Sequence, residues 1–314
     1  MENYSLDFLF LRSLTADNSG STHLQATALD QKEIWAFHRK FTYSSLQGMK
    51  VSEKVIVVTG AGSGMGRELT LQLSARGADV AAIDFRTQTL EETRALASGQ
   101  KGRVETFNLD ISNLKSVQNL SKKVEEHLGS VDILINNAGI IQQFVKVNEL
   151  SLEDAQKVMQ INFFGALFMI KEFLPGLLTR PQAHILNVSS MGAYVPVPGQ
   201  SIYGASKAAI KSLTEGLRSE LMGTKVGVTI VFPGAIATNI AQNSGISIPT
   251  TAQTQRKFPT TSADVAARAM IAAIEKNQAR LVIGKDARMM DYLSRANPVY
   301  AAKLIYKQMS ELLK

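Results

Sequence analysis

Residues 55–66 read VIVVTGAGSGMG, and this stretch decides the fold. Val55-Ile56-Val57-Val58 is a continuous β-branched run, the pattern of a parallel strand buried on both faces. It passes directly into a glycine-rich turn, and a helical pattern begins near Arg67. Glycines between a strand and a helix let backbone amides approach a pyrophosphate, whose charge the helix N-terminus favours. The spacing is Gly60-xxx-Gly64-x-Gly66 rather than G-x-G-x-x-G. Glycines so spaced serve equally well in a tight turn that packs strand on helix.

Outward from the turn, the next apolar run, Val80-Ala81-Ala82-Ile83, ends at Asp84, eighteen residues past Gly66. A carboxylate at that distance is placed to accept hydrogen bonds from a ribose diol and to repel a 2′-phosphate. Arg86, two residues later, is placed to bind that phosphate instead. A helix is predicted over 87–97 and a third strand over Val104–Leu109, ending at Asp110. Ser112 reads as the N-cap of a helix to about Leu128, with Leu114, Val117, Leu120 and Val124 on one face and Gly129 closing it. A fourth strand, Val131 to Ile135, empties into Asn136-Asn137-Ala138-Gly139. Strands alternating with helices predict an α/β fold with a doubly wound, Rossmann-like parallel sheet, which binds ligands at the carboxyl ends of its strands. Gly60, Asp84, Asp110, Asn136 and Ser190 all fall at such ends.

Residues 184–213 read HILNVSSMGAYVPVPGQSIYGASKAAIKSL: a short strand, a loop rich in small residues and proline, then a helix from about Ser201 past Leu217. Tyr203 and Lys207, four apart, share one face of that helix, with Ser190 near the strand end. A tyrosine hydroxyl ordinarily titrates near ~10, and an ammonium one turn away favours its phenolate. A serine hydroxyl beside them can hold a substrate oxygen while the tyrosine moves its proton. Taken alone, the pair equally describes an amphipathic helix with a snorkelling lysine.

Val226 to Val231 is a further strand, ending at Pro233-Gly234. Residues 235–260 lack periodicity and read as a lid, in which Ile240, Ile246 and Ile248 either cover a lipophilic substrate or simply pack. Ser262 caps a helix to about Glu275, and Leu281-Val282-Ile283 is the last strand. The tail 285–314 holds two helical pieces divided at Asn297-Pro298, with Lys303, Lys307 and Lys314 on one face of the second. Six basic against three acidic residues there leave a net charge of +3. Such a helix packs on its own domain, on a partner subunit or, peripherally, on a membrane surface.

The chain has 314 residues, 45% of them hydrophobic, which suffices for one large α/β domain with extensions. No run approaches ~18 consecutive apolar residues, so a transmembrane segment is not expected. With no cysteine, disulfides, thiolate metal sites and cysteine nucleophiles are excluded. The formal charge of +7 comes without a basic run of five or interleaved aromatics, so a solvated basic surface is expected rather than a nucleic-acid partner. His23, His38, His127 and His184 match no metal spacing and read as surface or edge residues. Residues 1–48 show no sustained period and read as a poorly ordered extension. Phe8 to Leu11 is too short and too acidic in its flank for a signal peptide, and Trp35 and Phe37 are its candidates for docking. The domain is then expected over 49–284.

The ordered set Thr59-Gly60-xxx-Gly64-x-Gly66, Asn136-Asn137-Ala138-Gly139, Asn162, Ser190, Tyr203-xxx-Lys207 and Pro233-Gly234 resembles the short-chain dehydrogenase/reductase family over roughly residues 52–284. The resemblance implies an NAD(P)-dependent oxidoreductase acting on a secondary alcohol or ketone. Tyr203 would be the acid/base, Ser190 the holder of the substrate oxygen, Lys207 the partner of the tyrosine and of the nicotinamide ribose, and Asn162 the anchor of a proton-relay water. It also implies cofactor contacts at Thr59, Gly60, Ser63, Gly64, Met65, Gly66, Asp84, Asp110, Ile111, Asn137, Ala138, Gly139, Pro233, Gly234, Ile236 and Thr238. Asp110 would lie beside the adenine and Thr238 near the carboxamide or pyrophosphate. The Asn136–Gly139 loop serves either to brace the sheet or to touch cofactor, Ser189 reads as structural, and Asn162 has the alternative of a satisfied polar residue in a packed helix. Asp84 places NAD ahead of NADP. No metal is expected, and a cytoplasmic or membrane-peripheral homo-oligomer is. The competing reading is a nucleotide-binding scaffold or redox sensor without turnover.

Overall fold

In the computed structural model, residues 48–246, 260–309 and 313 are described in full, and residues 9–16 and 22–28 as backbone. The chain divides into two units, Met1–Leu46 and Gln47–Lys314. In the first, β1 (Leu9–Ala16) and β2 (Thr22–Ala28) pair antiparallel, Leu9 opposite Ala28, with a register shift between Leu11 and Leu14. Trp35 and Phe37 lie outside the described residues.

The second unit is built on a seven-stranded sheet. Its strands are β3 (Val55–Thr59), β4 (Asp79–Asp84), β5 (Val104–Asn108), β6 (Ile133–Asn136), β7 (Ala183–Val188), β8 (Val226–Pro233) and β11 (Arg280–Ile283). Their spatial order is β11-β8-β7-β6-β3-β4-β5, parallel at every pairing. The order reverses between β3 and β6, and there a crevice opens at the carboxyl edge.

Side-chain alternation along the strands fills both faces. Ile56 and Val58 point to one face, where they meet Leu69 and Leu73 of α1 (Gly64–Ala75) and Met270, Ile271 and Ile274 of α9 (Ala263–Glu275). Val57 points to the other, with Val124 of α4 (Leu120–Leu128) and Met169, Phe173 and Leu177 of α6 (Ala166–Thr179). Because both faces are covered, the strands read as unbroken apolar runs. Each such side chain, fully buried, stabilises by ~1.5–3 kcal/mol relative to exposure. Met49 and Val51 join the first cluster, so this unit is anchored ahead of β3. Helix α2 (Thr87–Leu96) follows β4.

Several elements differ from expectation. The helix expected from Ser112 to Leu128 is two, α3 (Leu114–Val117) and α4, parted by Asn119 in the left-handed conformation at φ 64°. Asn113, not Ser112, caps α3, its Oδ1 accepting from Lys115 N at 3.0 Å. Ser112 instead donates twice to Asp110 Oδ1, from N at 2.9 Å and Oγ at 2.7 Å. His184 is not an edge residue: it is buried in β7, its Nε2 2.8 Å from Thr229 Oγ1 on β8.

A 28-residue helical run, Leu152–Thr179, joins α5 (Leu152–Met159), a π-helical turn (Gln160–Gly165) and α6. By length and composition it could cross a membrane, but its Met169, Ile170, Phe173 and Leu177 are core residues of the sheet's second face. In the tail, α10 (Lys285–Ala296) and α11 (Pro298–Met309) meet at Asn297, whose Oδ1 accepts from Tyr300 N at 2.9 Å. Met290, Ala301 and Ile305 pack on Val195, so this tail packs on its own domain, over the loop that follows β7, and leaves Lys303 and Lys307 exposed.

Candidate active site

The turn after β3 is shaped for close approach. Gly60 and Gly64 hold φ of +71° and +52°, a region L side chains rarely occupy. A Cβ on Gly66 would lie 2.0 Å from the Gly60 carbonyl oxygen, so the first turn of α1 rests directly on the loop. Thr59 braces the facing strand end, its Oγ1 accepting from Asn137 N at 3.0 Å and Ala138 N at 3.1 Å, while Asn137 Nδ2 donates to Thr59 O at 2.9 Å. The Asn136–Gly139 loop therefore braces the sheet, and Asn137, Ala138 and Gly139 also line a cleft of about 300 Å³. Gly60, Ser63, Gly64, Met65, Asp84, Asp110, Ile111 and Thr238 line it as well.

Asp84 ends β4 with its carboxylate engaged but not saturated. Oδ2 accepts from Gly62 N at 3.0 Å, and Oδ1 from Arg86 N at 3.0 Å and Nε at 3.5 Å. An ionised carboxylate offers about four acceptor positions, so one remains for a ribose hydroxyl beside these three bonds. The guanidinium of Arg86 turns from Asp84 across the cleft mouth: Nη1 donates to Asn243 Oδ1 at 2.5 Å and Nη2 to Ser63 Oγ at 3.2 Å. Asn243 belongs to the short helix α8 (Ile240–Asn243), in the segment read as a lid. Residues 247–259 of that segment, Ile248 among them, lie outside the described residues.

Ser190, Tyr203, Lys207 and Asn162 assemble beyond β7 and at the start of α7 (Ser201–Glu220). Ser190 Oγ accepts from Gly192 N at 3.0 Å and is hydrogen-bonded with the Tyr203 hydroxyl. Lys207 Nζ is buried, donates to Val188 O at 3.0 Å and lies 5.9 Å from the centre of the Tyr203 ring. Loss of hydration disfavours its charge and brings it down to about 8. Burial pushes the Tyr203 hydroxyl above its ordinary value, against the opposing bond with Ser190. The lowering of the tyrosine expected from the lysine is therefore not the outcome: burial raises the hydroxyl and the Ser190 bond is what opposes it.

Asn162 sits in the π-helical turn with both amide donors and its carbonyl oxygen engaged. Its Nδ2 donates to Ile140 O and Ser206 Oγ, each at 2.9 Å, and its Oδ1 accepts from Ile140 N at 2.8 Å. It ties the loop after β6 to α7. Gly139 joins the two halves of the site: a Cβ there would lie 3.0 Å from Lys207 Nζ and 3.2 Å from Asn162 Oδ1. Ser189 is structural, donating to Lys207 O at 2.7 Å.

Thr59, Gly66, Pro233, Gly234 and Ile236 do not line the cleft; they hold what does. Asp286 Oδ2 accepts from Ala235 N at 2.7 Å behind Pro233-Gly234, and β9 (Ile236–Ala237) pairs with β10 (Thr261–Ser262), which together hold Thr238 against Gly64. Sequence reasoning missed Gln142, which is buried and positions α7: its Oε1 accepts from Tyr203 N at 2.9 Å and its Nε2 donates to Gly199 O at 3.0 Å. Asn243 and Ser244 were missed too; they belong to an aperiodic stretch and meet their partners only through the fold. Among the described residues no cluster of histidines and carboxylates suits a metal.

The cleft fits a dinucleotide on features of its own. The glycine cradle would be filled by any Cβ, α1 points its N-terminus at it, and Asn137 Oδ1 is buried there without a hydrogen-bond partner.

Comparison with known proteins agrees. A model of the short chain dehydrogenase family matches residues 54–247. SadH of Mycobacterium tuberculosis, named as an oxidoreductase, is 36% identical over 249 residues, 77% of this chain and 90% of its own. A short-chain dehydrogenase/reductase from Burkholderia phymatum, solved with NAD, superposes with a TM-score of 0.70 at 28% identity, covering 79% of this chain and 96% of that one. One from Burkholderia cenocepacia, solved with NADP, gives 0.67 at 29% identity, covering 85% and 100%.

Proposed function

The chain belongs to the short-chain dehydrogenase/reductase family of oxidoreductases, and on that premise we propose that it interconverts a secondary alcohol and a ketone, with Tyr203 as the acid/base and NAD as the preferred cofactor. The observation that carries the reading is the convergence of Ser190, Tyr203 and Lys207 beside the dinucleotide-shaped cleft, linked to it through Gly139.

Amides at the start of α1 and the glycine turn would hold the pyrophosphate, Asp84 the ribose hydroxyls, Asp110 and Ile111 the adenine, and Thr238 the far end. The nicotinamide, when bound, supplies or accepts the hydride. Ser190 Oγ, fixed by Gly192 N, orients the substrate oxygen. Tyr203 keeps its proton at neutral pH, since burial raises its pKa, and so stands ready to donate in the reductive direction. In the oxidative direction the tyrosine must lose that proton, and the Ser190 bond and the nearby Lys207 charge favour the phenolate. Asn162 stiffens the loop beneath them, and a water held near it would pass the proton onward. Exposed Leu152, Phe164 and Leu178 on the long helical run support assembly with a second copy.

The test is Tyr203→Phe, which keeps the ring and removes the hydroxyl. On a panel of alcohols and ketones graded by lipophilicity, turnover is expected to fall at least ~10²-fold, the usual loss of a general acid–base group. Cofactor binding, followed by nicotinamide fluorescence, stays near wild type. Unchanged turnover would refute the role of Tyr203. A wild-type protein that binds cofactor but turns over no member of the panel would favour the scaffold.

A further inference from the structure

Arg86, Ser63 and Asn243 come from three separate elements: the end of β4, the glycine turn and the lid helix α8. They form a closed ring of hydrogen bonds across the cleft mouth. Arg86 Nη1 donates to Asn243 Oδ1 at 2.5 Å, Asn243 Nδ2 donates to Ser63 Oγ at 2.8 Å, and Arg86 Nη2 donates to the same Ser63 Oγ at 3.2 Å. A second tie lies beside it, where Ile141 N donates to Ser244 Oγ at 3.1 Å. The lid helix is thereby fastened to the segments that follow β3, β4 and β6. Of the ring's members only Arg86 is charged, and its one carboxylate partner among the described residues, Asp84, is the longest contact at 3.5 Å.

We propose that Asn243 is a positioning residue that couples lid closure to the identity of the dinucleotide: NAD binds with the Arg86–Asn243 latch shut, and a 2′-phosphate opens it. This rests on the reading of the cleft as a dinucleotide site. A ribose diol on Asp84 leaves the guanidinium free to stay on Asn243 and Ser63. A phosphate beside Asp84 draws the guanidinium into charge-assisted, two-pronged contact, which its donors cannot make while held at Asn243 and Ser63. Binding of NADP then loses the latch bonds and the lid contact that depends on them. The selectivity for NAD thus has two parts, repulsion at Asp84 and retention of Arg86 by the lid.

The experiment measures dissociation constants for NAD and NADP by calorimetry on wild type, Asn243→Ala and Asn243→Asp, with hydrogen exchange of residues 240–246 in the free and bound proteins. In the free protein, Asn243→Ala is expected to speed exchange over 240–246. Removing bonds to a charged group costs about one factor of ten in affinity. In wild type that cost falls on NADP alone, because the latch is shut in the free protein and stays shut with NAD; the Ala variant is therefore expected to leave NAD within about twofold, tighten NADP about tenfold, and so narrow the selectivity. The Asp variant holds the guanidinium more tightly and is expected to widen it. NAD, not NADP, is expected to protect 240–246. The proposal is overturned if the two variants shift both cofactors by equal factors, if both cofactors protect the lid alike, if the wild type prefers NADP, or if the Ala variant leaves exchange in the free protein unchanged. A protein that binds neither dinucleotide would instead overturn the function proposed above, and the exchange of the free protein would still decide whether the latch exists.

Discussion

Gly66→Ala puts two rules into opposition. Gly66 is the third residue of α1, and in a helix interior alanine is favoured over glycine by ~1 kcal/mol. The structure predicts the opposite sign. A Cβ at this position would lie 2.0 Å from Gly60 O, 2.6 Å from Gly60 C and 2.7 Å from Asn137 Nδ2. The first two are backbone atoms of a turn already held at positive φ, and the third is the brace that Asn137 makes to Thr59 O. None can swing aside as a flexible side chain would. The turn must move by more than ~1 Å to restore ordinary contact, and overpacking of this kind costs ~1–3 kcal/mol or more. Loss of the Asn137 bond adds ~0.5–1.5 kcal/mol. After the helix preference is deducted, the net destabilisation is ~2 kcal/mol, roughly 4–8 °C in Tm for a unit of this size. Gly216→Ala is the control: it lies inside α7, exposed, with nothing within 4 Å of the added carbon, and is expected to stabilise by up to ~1 kcal/mol. Urea titrations of the two variants beside wild type decide the matter. A Gly66→Ala protein as stable as wild type would show that the turn yields freely, and the cradle argument would fall with it.

The buried lysine gives a pH signature. Lys207 titrates at about 8 in the folded protein and near ~10.4 unfolded, so between those values the unfolded chain binds the extra proton and stability rises with pH, by ~3 kcal/mol at most. Urea midpoints at pH 7.5, 9 and 10 are expected to climb in wild type and to stay flatter in Lys207→Met. Buried His184 acts at the acid end: held at about 3 against ~6.5 unfolded, it lowers stability by up to ~1.4 kcal/mol per pH unit below 6.5, and acid unfolding of His184→Gln is expected to start from a flatter slope. Asp84→Ser removes the acceptor of Gly62 N and the repulsion of a 2′-phosphate, so the preference for NAD is expected to narrow or reverse in a fluorescence titration; an unchanged ratio would relieve Asp84 of that role.

What could be read from the chain was what neighbours in sequence determine. The runs 55–58, 80–83 and 133–135 announced strands because a sheet covered on both faces leaves no polar position in them. Gly60, Asp84, Asp110 and Ser190 could be placed because strand ends follow from strand runs. The split at Asn119 was hidden for a definite reason: Leu114, Val117, Leu120 and Val124 keep three- and four-residue spacing straight through the break, so the apolar period carries no trace of one left-handed residue. His184 was misread because its partner, Thr229, sits on another strand. The same holds for Gln142 and Asn243, polar residues in aperiodic stretches whose partners are 61 and 180 residues away. Arg86 was legible as a rival to Asp84, but its hold on the lid was not.

The π-helical turn at Gln160–Gly165 acts as a phase shifter. A five-residue hydrogen-bond step inserts about one residue into a 3.6-residue rhythm, which rotates everything downstream by ~100° about the helix axis. Upstream of the turn, Lys157 looks into the cleft; within it, Asn162 looks toward α7; downstream, Phe173 and Leu177 look into the sheet. One rod thus serves three azimuths that an uninterrupted α-helix could not serve together. Wound as plain α-helix at its present length, the rod would turn the core side chains of α6 to face water. Loss of one residue between 160 and 165 would instead remove the wide turn and keep α6 facing the sheet, so the extra residue serves the placement of Asn162.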